Sequence, residues 1–321
     1  MRRGALVCLA TLAIGCGGTP DDSAVPLRKV RVAFSQHLSW GPIMIAQAEG
    51  FFTDEGLDVE LVSLLRPEES LVALVTGDID VRPGPLSAGF LSAIARRAPI
   101  RIVAGMGTLA AGSCTYYGLV LRPGLDTTRG LPPLKRIRAS QDGATRFVVS
   151  NMLAKRDLNI GAIETIRIPE AVMGTALETG SLDAVAVSEP ALTRLKKLGT
   201  LWLSGEDAVP GFQWAVVAFG ERLLTRERDT GMRFLRAYQR GVAQYRQGKT
   251  DRNVAIIAES THETPERTRE VCWLDFTPDS RINWESIAAY QTWAAAEGLM
   301  LRTVSRDEAF DSSFVSGPGR P

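Results

Sequence analysis

Two short phrases constrain this chain more than any other feature. Residues 73–81 read "ALVTGDIDV" and residues 176–185 read "ALETGSLDAV", the second starting 103 positions after the first. Each phrase puts a glycine after an apolar run at helical spacing and an aspartate just before a β-branched or apolar run. A glycine in that place stops a helix by taking the left-handed conformation, and the following run reads as a strand. A helix-stop-strand phrase written twice, a domain's length apart, predicts two α/β lobes in a chain of 321 residues.

The flanking pattern agrees. Strands are expected at 29–34, 57–62, 80–82 and 100–104. Helices between them begin at Gly41-Pro42, span 67–76, and follow a Pro83-Gly84-Pro85 turn through about Arg97. The alternation restarts with strands at 116–122, 136–140, 164–169 and 182–187, and with helices at 143–155, 171–179 and 190–198. A further strand is expected at 213–219. Beyond Glu221 the pattern is mainly helical, with Gly231 and Gly241 lowering the propensity of a long amphipathic run. The expected fold class is α/β, with parallel-rich mixed sheets in two lobes. Lobe 1 is residues 29–115 plus 215–310, and lobe 2 is residues 116–214. Two linkers, near 113–118 and 211–215, join them, and a disordered tail is expected at 311–321. Open α/β sheets bind ligands beyond the carboxyl ends of their strands, so a cleft between the lobes is the expected site.

The N-terminus has a different character. Arg2 and Arg3 precede an apolar run at 5–14, too short to span a bilayer but suited to a signal peptide over residues 1–15. "LAIGCGG" at 12–18 resembles a bacterial lipobox, which implies cleavage before Cys16 and lipidation of its thiol. The alternative is an ordinary signal with an incidental cysteine. Residues 16–28 are polar, carry Gly and Pro, and read as a tether. Cys8 would leave with the signal, so Cys114 and Cys272 remain. They are able to pair in an oxidising compartment, but sequence gives no distance between them. With only His37 and His262 and no clustered cysteines, neither a metal site nor a cofactor is expected. Basic and acidic residues number 37 and 36, which offers no charge excess for nucleic acid.

"GPIMIAQAEGFFTDEGLDVELV" at 41–62 resembles the substrate-binding proteins of nitrate, sulfonate, taurine and thiamine-precursor ABC importers. Ala46, Gly50, Phe51, Phe52, Glu55, Gly56, Leu57, Val59 and Leu61 match that family's pattern. The repeated phrase, "ASQDGATRFVVSNMLAK" and "FLRAYQRGVAQY" resemble its other segments, so the likeness runs from about Val30 to Ala258. The resemblance implies a type II periplasmic-binding-protein fold. It also implies delivery of a small solute to a membrane permease and its ATPase by a monomeric receptor, here attached to the membrane by lipid alone, outside the cytoplasm.

Candidate ligand contacts follow from the strand ends. Ser35, Gln36, His37, Ser39 and Trp40 offer polar groups and a ring for stacking. Arg82, Pro83, Gly84 and Pro85 combine a cation with close backbone approach. Gln141, Asp142, Gly143 and Thr145 sit at a helix start, where free N–H groups suit an anion. Ser188 and Glu189 close the second-copy strand, and Tyr117 stands at the first crossing beside Tyr116. Each has a plainer alternative: capping, hinge packing, or a solvated charge. Trp40, Tyr117 and Glu189 favour a heterocycle such as a pyrimidine. Arg82 and Arg146 favour an anion such as nitrate or a sulfonate. Two other functions use the same fold or surface. One is an enzyme of the pyrimidine-synthase type, whose cysteine-rich motif this chain lacks. The other is a ligand-sensing adaptor.

Overall fold

The computed structural model describes residues 26–64, 67–125, 127, 133–139 and 143–315. The expected signal peptide, Cys16 and most of its tether lie outside these residues, as do Gln141 and Asp142. Lobe 1 opens with β1 Arg28–Phe34, α1 Gly41–Ala48, α2 Phe51–Asp54, β2 Leu57–Ser63, α3 Pro67–Thr76, β3 Val81–Pro85, α4 Ala88–Ala95 and β4 Arg101–Gly105. A first crossing carries β5 Thr108–Leu109. Lobe 2 follows with β6 Tyr117–Leu121, β7 Arg136–Arg138, α5 Gly143–Ala154, β8 Glu164–Ile166, α6 Met173–Glu178, β9 Ala184–Ser188, α7 Ala191–Leu195, β10 Thr200–Ser204 and α8 Gly205–Ala208. The return crossing carries β11 Phe212–Gln213, and β12 Ala215–Phe219 re-enters lobe 1. Then come α9 Arg228–Tyr245, α10 Asp251–Thr261, α11 Pro265–Glu270, α12 Trp284–Ala296 and α13 Arg306–Ala309.

The two sheets have one plan. Lobe 1 is a five-stranded sheet in the order β2-β1-β3-β12-β4, and lobe 2 is a five-stranded sheet in the order β8-β7-β9-β6-β10. In each, the first three strands are parallel. In each, a strand next to a crossing is inserted antiparallel between its neighbours: β12 in lobe 1 and β6 in lobe 2. The crossings pair with each other as a short antiparallel ribbon, Thr108 opposite Gln213 and Leu109 opposite Phe212, upstream of the first linker expected.

This plan explains the repeated phrase. Gly77 and Gly180 both take positive φ, 81° and 69°, and end α3 and α6. The two aspartates then act alike. The Asp80 N–H donates to the Arg31 carbonyl at 2.8 Å, and its carboxylate accepts the Arg31 N–H at 2.8 Å. The Asp183 N–H donates to the Arg136 carbonyl at 2.8 Å, and its carboxylate accepts the N–H groups of Lys135 and Arg136 at 2.8 and 3.0 Å. An arginine just past the inserted strand completes each clamp: Arg222 on Asp80 at 2.9 Å and Arg122 on Asp183 at 3.3 Å. Each aspartate therefore ties three strands of its sheet together at one end.

Three expectations need correction. Pro83-Gly84-Pro85 is not a turn but the second half of β3, paired to Val217, Val216 and Ala215 of β12. β1 meets β3 at Val81 alone, so this stretch has a ladder neighbour on one side only, where proline is tolerated. Residues 311–315 of the expected disordered tail are ordered. Phe314 is buried edge-on against Phe219, with the Arg228 guanidinium over its ring. Residues 284–296, expected with lobe 1, form α12, which packs against α5 of lobe 2. There Phe147 meets Tyr290 and Trp293. The glycine that weakens α9 also has a purpose: a Cβ on Gly241 would lie 2.1 Å from the Pro42 carbonyl, so its absence lets α9 rest directly on α1.

Cys114 and Cys272 form a disulfide with Cα atoms 5.7 Å apart, closing 158 residues. Loop-closure entropy puts the gain for such a span at about 5 kcal/mol at most. The bond joins the first crossing to the C-terminal segment of lobe 1.

Candidate functional site

Loops at the carboxyl ends of β1, β3 and β9 converge on a cavity of about 200 Å³ between the lobes. Lobe 1 supplies Phe34, Ser35, His37, Ser39 and Trp40 from the end of β1, and Arg82 through Pro85 from β3. Ser70 of α3 adds to this wall. Lobe 2 contributes Ser188, and the crossings contribute Tyr116 and Trp214. Among the described residues no carboxylate lines the cavity.

Arg82 is the unusual group. It is 2% exposed, the largest fully buried side chain among the described residues. Its Nε donates to the Ser70 hydroxyl at 3.0 Å, and one terminal nitrogen reaches the Pro85 carbonyl at 3.5 Å. The guanidinium stands over the Phe90 ring at 5.2 Å. The other terminal nitrogen, Nη1, has no hydrogen-bond partner, and no carboxylate pairs with the side chain among the described residues. Burial lowers its pKa to about 10, against a smaller opposing effect from Glu68. At neutral pH it remains a cation. Burying a charge without a partner is expensive, so the side chain is held here at a cost to stability.

The rest of the wall is anchored. The Trp40 indole N–H donates to the Ala33 carbonyl at 3.3 Å, which fixes the ring beside His37. His37 is open to the cleft, yet protein crowds it. The lost solvation pulls its pKa below the ordinary 6.5, while Glu170 across the cleft opposes the shift. Tyr116 packs edge-on to Trp214, and burial raises the pKa of its phenol. It lines the cavity together with Ser39 of lobe 1 and Ser188 of lobe 2.

Several expected contacts lie elsewhere. Glu189 is buried with its carboxylate turned into the protein, accepting from the Thr193 N–H and hydroxyl and from the Cys272 N–H. It ties lobe 2 to the C-terminal segment and offers no charge to the cavity. Tyr117 is buried against Trp214 rather than lining the cavity, and burial pushes its phenol up to about 12. Gln36 faces a separate small pocket with Pro190 and Arg267. Gly143 and Thr145 line a wider cleft of about 720 Å³ that shares Arg82 and Pro85 with the first cavity. Ser70 and Trp214 escaped the sequence reading. Ser70 carried no signal beyond its place on the apolar helix, and Trp214 lay inside a strand-like run.

No family model and no curated protein matches the sequence. Solved structures do match. The periplasmic aliphatic sulphonate-binding protein SsuA of Escherichia coli superposes at TM-score 0.71 and 14% identity, over 92% of this chain and 96% of its own. The periplasmic nitrate-binding protein NrtA of Synechocystis PCC 6803 does so at TM-score 0.71 and 14% identity, over 90% and 87%. The ligand-binding component of an ABC-type import system from Staphylococcus aureus, solved with zinc bound, gives TM-score 0.75 and 15% identity over 92% and 100%. At these identities the likeness is one of fold: the two lobes have the type II periplasmic-binding-protein architecture. No three His, Cys, Asp or Glu side chains cluster as a metal site among the described residues.

Proposed function

We propose that this chain is an extracytoplasmic receptor that takes a small anion into the interlobe cavity and delivers it to an ABC importer. The observation that carries the reading is Arg82, a buried cation of β3 with one guanidinium nitrogen lacking a hydrogen-bond partner. The absence of a lining carboxylate among the described residues supports an anion over an amine-bearing heterocycle. Two of the structural neighbours are, by their titles, receptors for anions, a sulphonate and nitrate. The Cys114–Cys272 bond suits an oxidising compartment. Lipidation of Cys16 would keep the receptor near its permease and ATPase. No helix among the described residues is long and apolar enough to cross a membrane.

Thermal-shift measurements on the full-length protein test this reading. The ligands would be nitrate, sulfate, alkanesulfonates, taurine and aminopyrimidines. A ligand at a hundred times its Kd adds about 2.7 kcal/mol of stability. The expected result is stabilisation by anions, none by neutral pyrimidines, and full recovery of unchanged ligand. Stabilisation by pyrimidines alone would contradict the anion reading. Consumption of the ligand would contradict the receptor reading in favour of an enzyme.

A further inference from the structure

Arg82 belongs to two cavities at once. Beyond it lies the wider cleft of about 720 Å³, whose far wall is made by lobe 2. That wall contains a second arginine with an unmet donor. Arg138 ends β7, and one terminal nitrogen donates to the Ala186 carbonyl at 2.7 Å. Its Nε is buried and has no hydrogen-bond partner, and no carboxylate pairs with the side chain among the described residues. Arg167 adds a further guanidinium to the same wall. Gly143, Ala144 and Thr145 bring the N-terminal turn of α5 to it, with the partial positive charge of a helix start. The lining of the cleft also carries apolar side chains, Leu71, Val72, Leu86 and Leu299, with Ser87 beside them. Glu68 is the one carboxylate in the cleft among the described residues.

Each lobe thus lines the cleft with an arginine that has a buried guanidinium nitrogen without a hydrogen-bond partner, and aliphatic side chains make up much of the remaining lining. A compact monoanion satisfies only one of them. We propose that the solute carries two anionic groups joined by an apolar segment, the first held by Arg82 of lobe 1 and the second by Arg138 of lobe 2. This rests on the receptor reading above and extends it to a substrate class. It also gives the second lobe a recognition role beyond the small cavity, where Ser188 is the one lobe-2 residue away from the crossings among the described residues.

Isothermal titration of the full-length protein with two matched pairs tests the proposal: butanesulfonate against butanedisulfonate, and pentanoate against adipate. The second charge should tighten binding at least about tenfold in one pair or both, the usual scale of a charge-assisted hydrogen bond. Arg138→Gln should erase that margin and leave monoanion affinity within about twofold. Should R138Q fail to fold by circular dichroism, the comparison within the unsubstituted protein decides. Equal binding of mono- and dianions overturns the proposal, as does equal weakening of both by R138Q. Binding of sulfate, nitrate or a monoanion with no margin for a second charge leaves the receptor reading standing and removes this one. Binding of none of these anions removes both.

Discussion

The two lobes share a framework but fill one position in opposite ways. Counting from the matched aspartates, Arg82 in β3 corresponds to Val185 in β9, and Gly84 to Val187. Val185 and Val187 pack with Met173, Leu177, Leu192 and Leu195 between the lobe-2 sheet and its helices. In lobe 1 the same face of the strand carries a guanidinium, which bonds Ser70 of α3 and stands over Phe90 of α4. Gly84 lies beside it: a Cβ there would meet Nη1 at 3.6 Å, an ordinary contact. Lobe 2 demonstrates that this fold closes the position with an aliphatic side chain. The arginine in lobe 1 is therefore not what the fold requires. It is a stability cost located at the cavity, where a ligand can offset it.

That contrast can be broken in stages. The largest effect is expected from Val185→Arg, which puts an unpaired charge into a closed apolar layer. It should cost more than about 4 kcal/mol or prevent folding, as read by denaturant unfolding. Next come the clamps. Asp80 is 2% exposed and holds two arginines, so Asp80→Ala strands a buried N–H and a guanidinium and should cost about 3–5 kcal/mol. Asp183 is more open, and Asp183→Ala should cost about 1–3 kcal/mol by the same measurement. Equal losses at the two sites would contradict the difference in burial.

Smaller effects sharpen the comparison. Arg82→Val copies the lobe-2 solution and should raise stability by about 1–3 kcal/mol in scanning calorimetry, despite the lost bond to Ser70. A loss of stability would mean that the arginine serves the fold after all. For Asp183, burial alone would raise the pKa. The N–H groups of Lys135 and Arg136 and the Arg122 guanidinium outweigh it and hold the carboxyl below its ordinary 3.8. A depressed carboxyl stabilises the folded state above its unfolded pKa and loses that stabilisation as pH falls through the folded value. The stability gap between the protein and Asp183→Asn should hold from neutrality to about pH 5 and shrink in stronger acid. Smallest is His37. Neutral at pH 7, it should gain a proton below its lowered pKa and add positive charge to the cavity. Anion affinity should rise about threefold on acidification and stay flat in His37→Asn, measured by titration across pH.

Much of this architecture was legible because it rests on local rules. The Gly77 and Gly180 stops, the exact span of α3 and the β-branched strands follow from turn chemistry and periodicity. What escaped depends on partners distant in sequence. β10, Thr200–Ser204, was not anticipated, and its place is set by its pairing with β6. Pro83 and Pro85 signalled a turn because nothing local says that one side of β3 is left unpaired. At the site, Ser35, His37, Ser39 and Trp40 of the strand-end loop line the cavity, while Gln36 of the same loop turns to a separate pocket. Tyr116 and Tyr117, adjacent in sequence, were not separable: strand alternation turns one ring to the cavity and the other away. Glu189 read as a free charge because its partners, Thr193 and the Cys272 N–H, come together only through the disulfide-linked C-terminal segment.

The central claim is that Arg82 is held buried and partly unpartnered to receive an anion. Calorimetric titration of the protein and of Arg82→Val with a single alkanesulfonate, or with nitrate if that is the anion that stabilises the protein, tests it most directly. The account predicts measurable binding by the protein and a loss of about a hundredfold or more in the variant, which remains folded and at least as stable. Unchanged affinity in a folded Arg82→Val protein would contradict it.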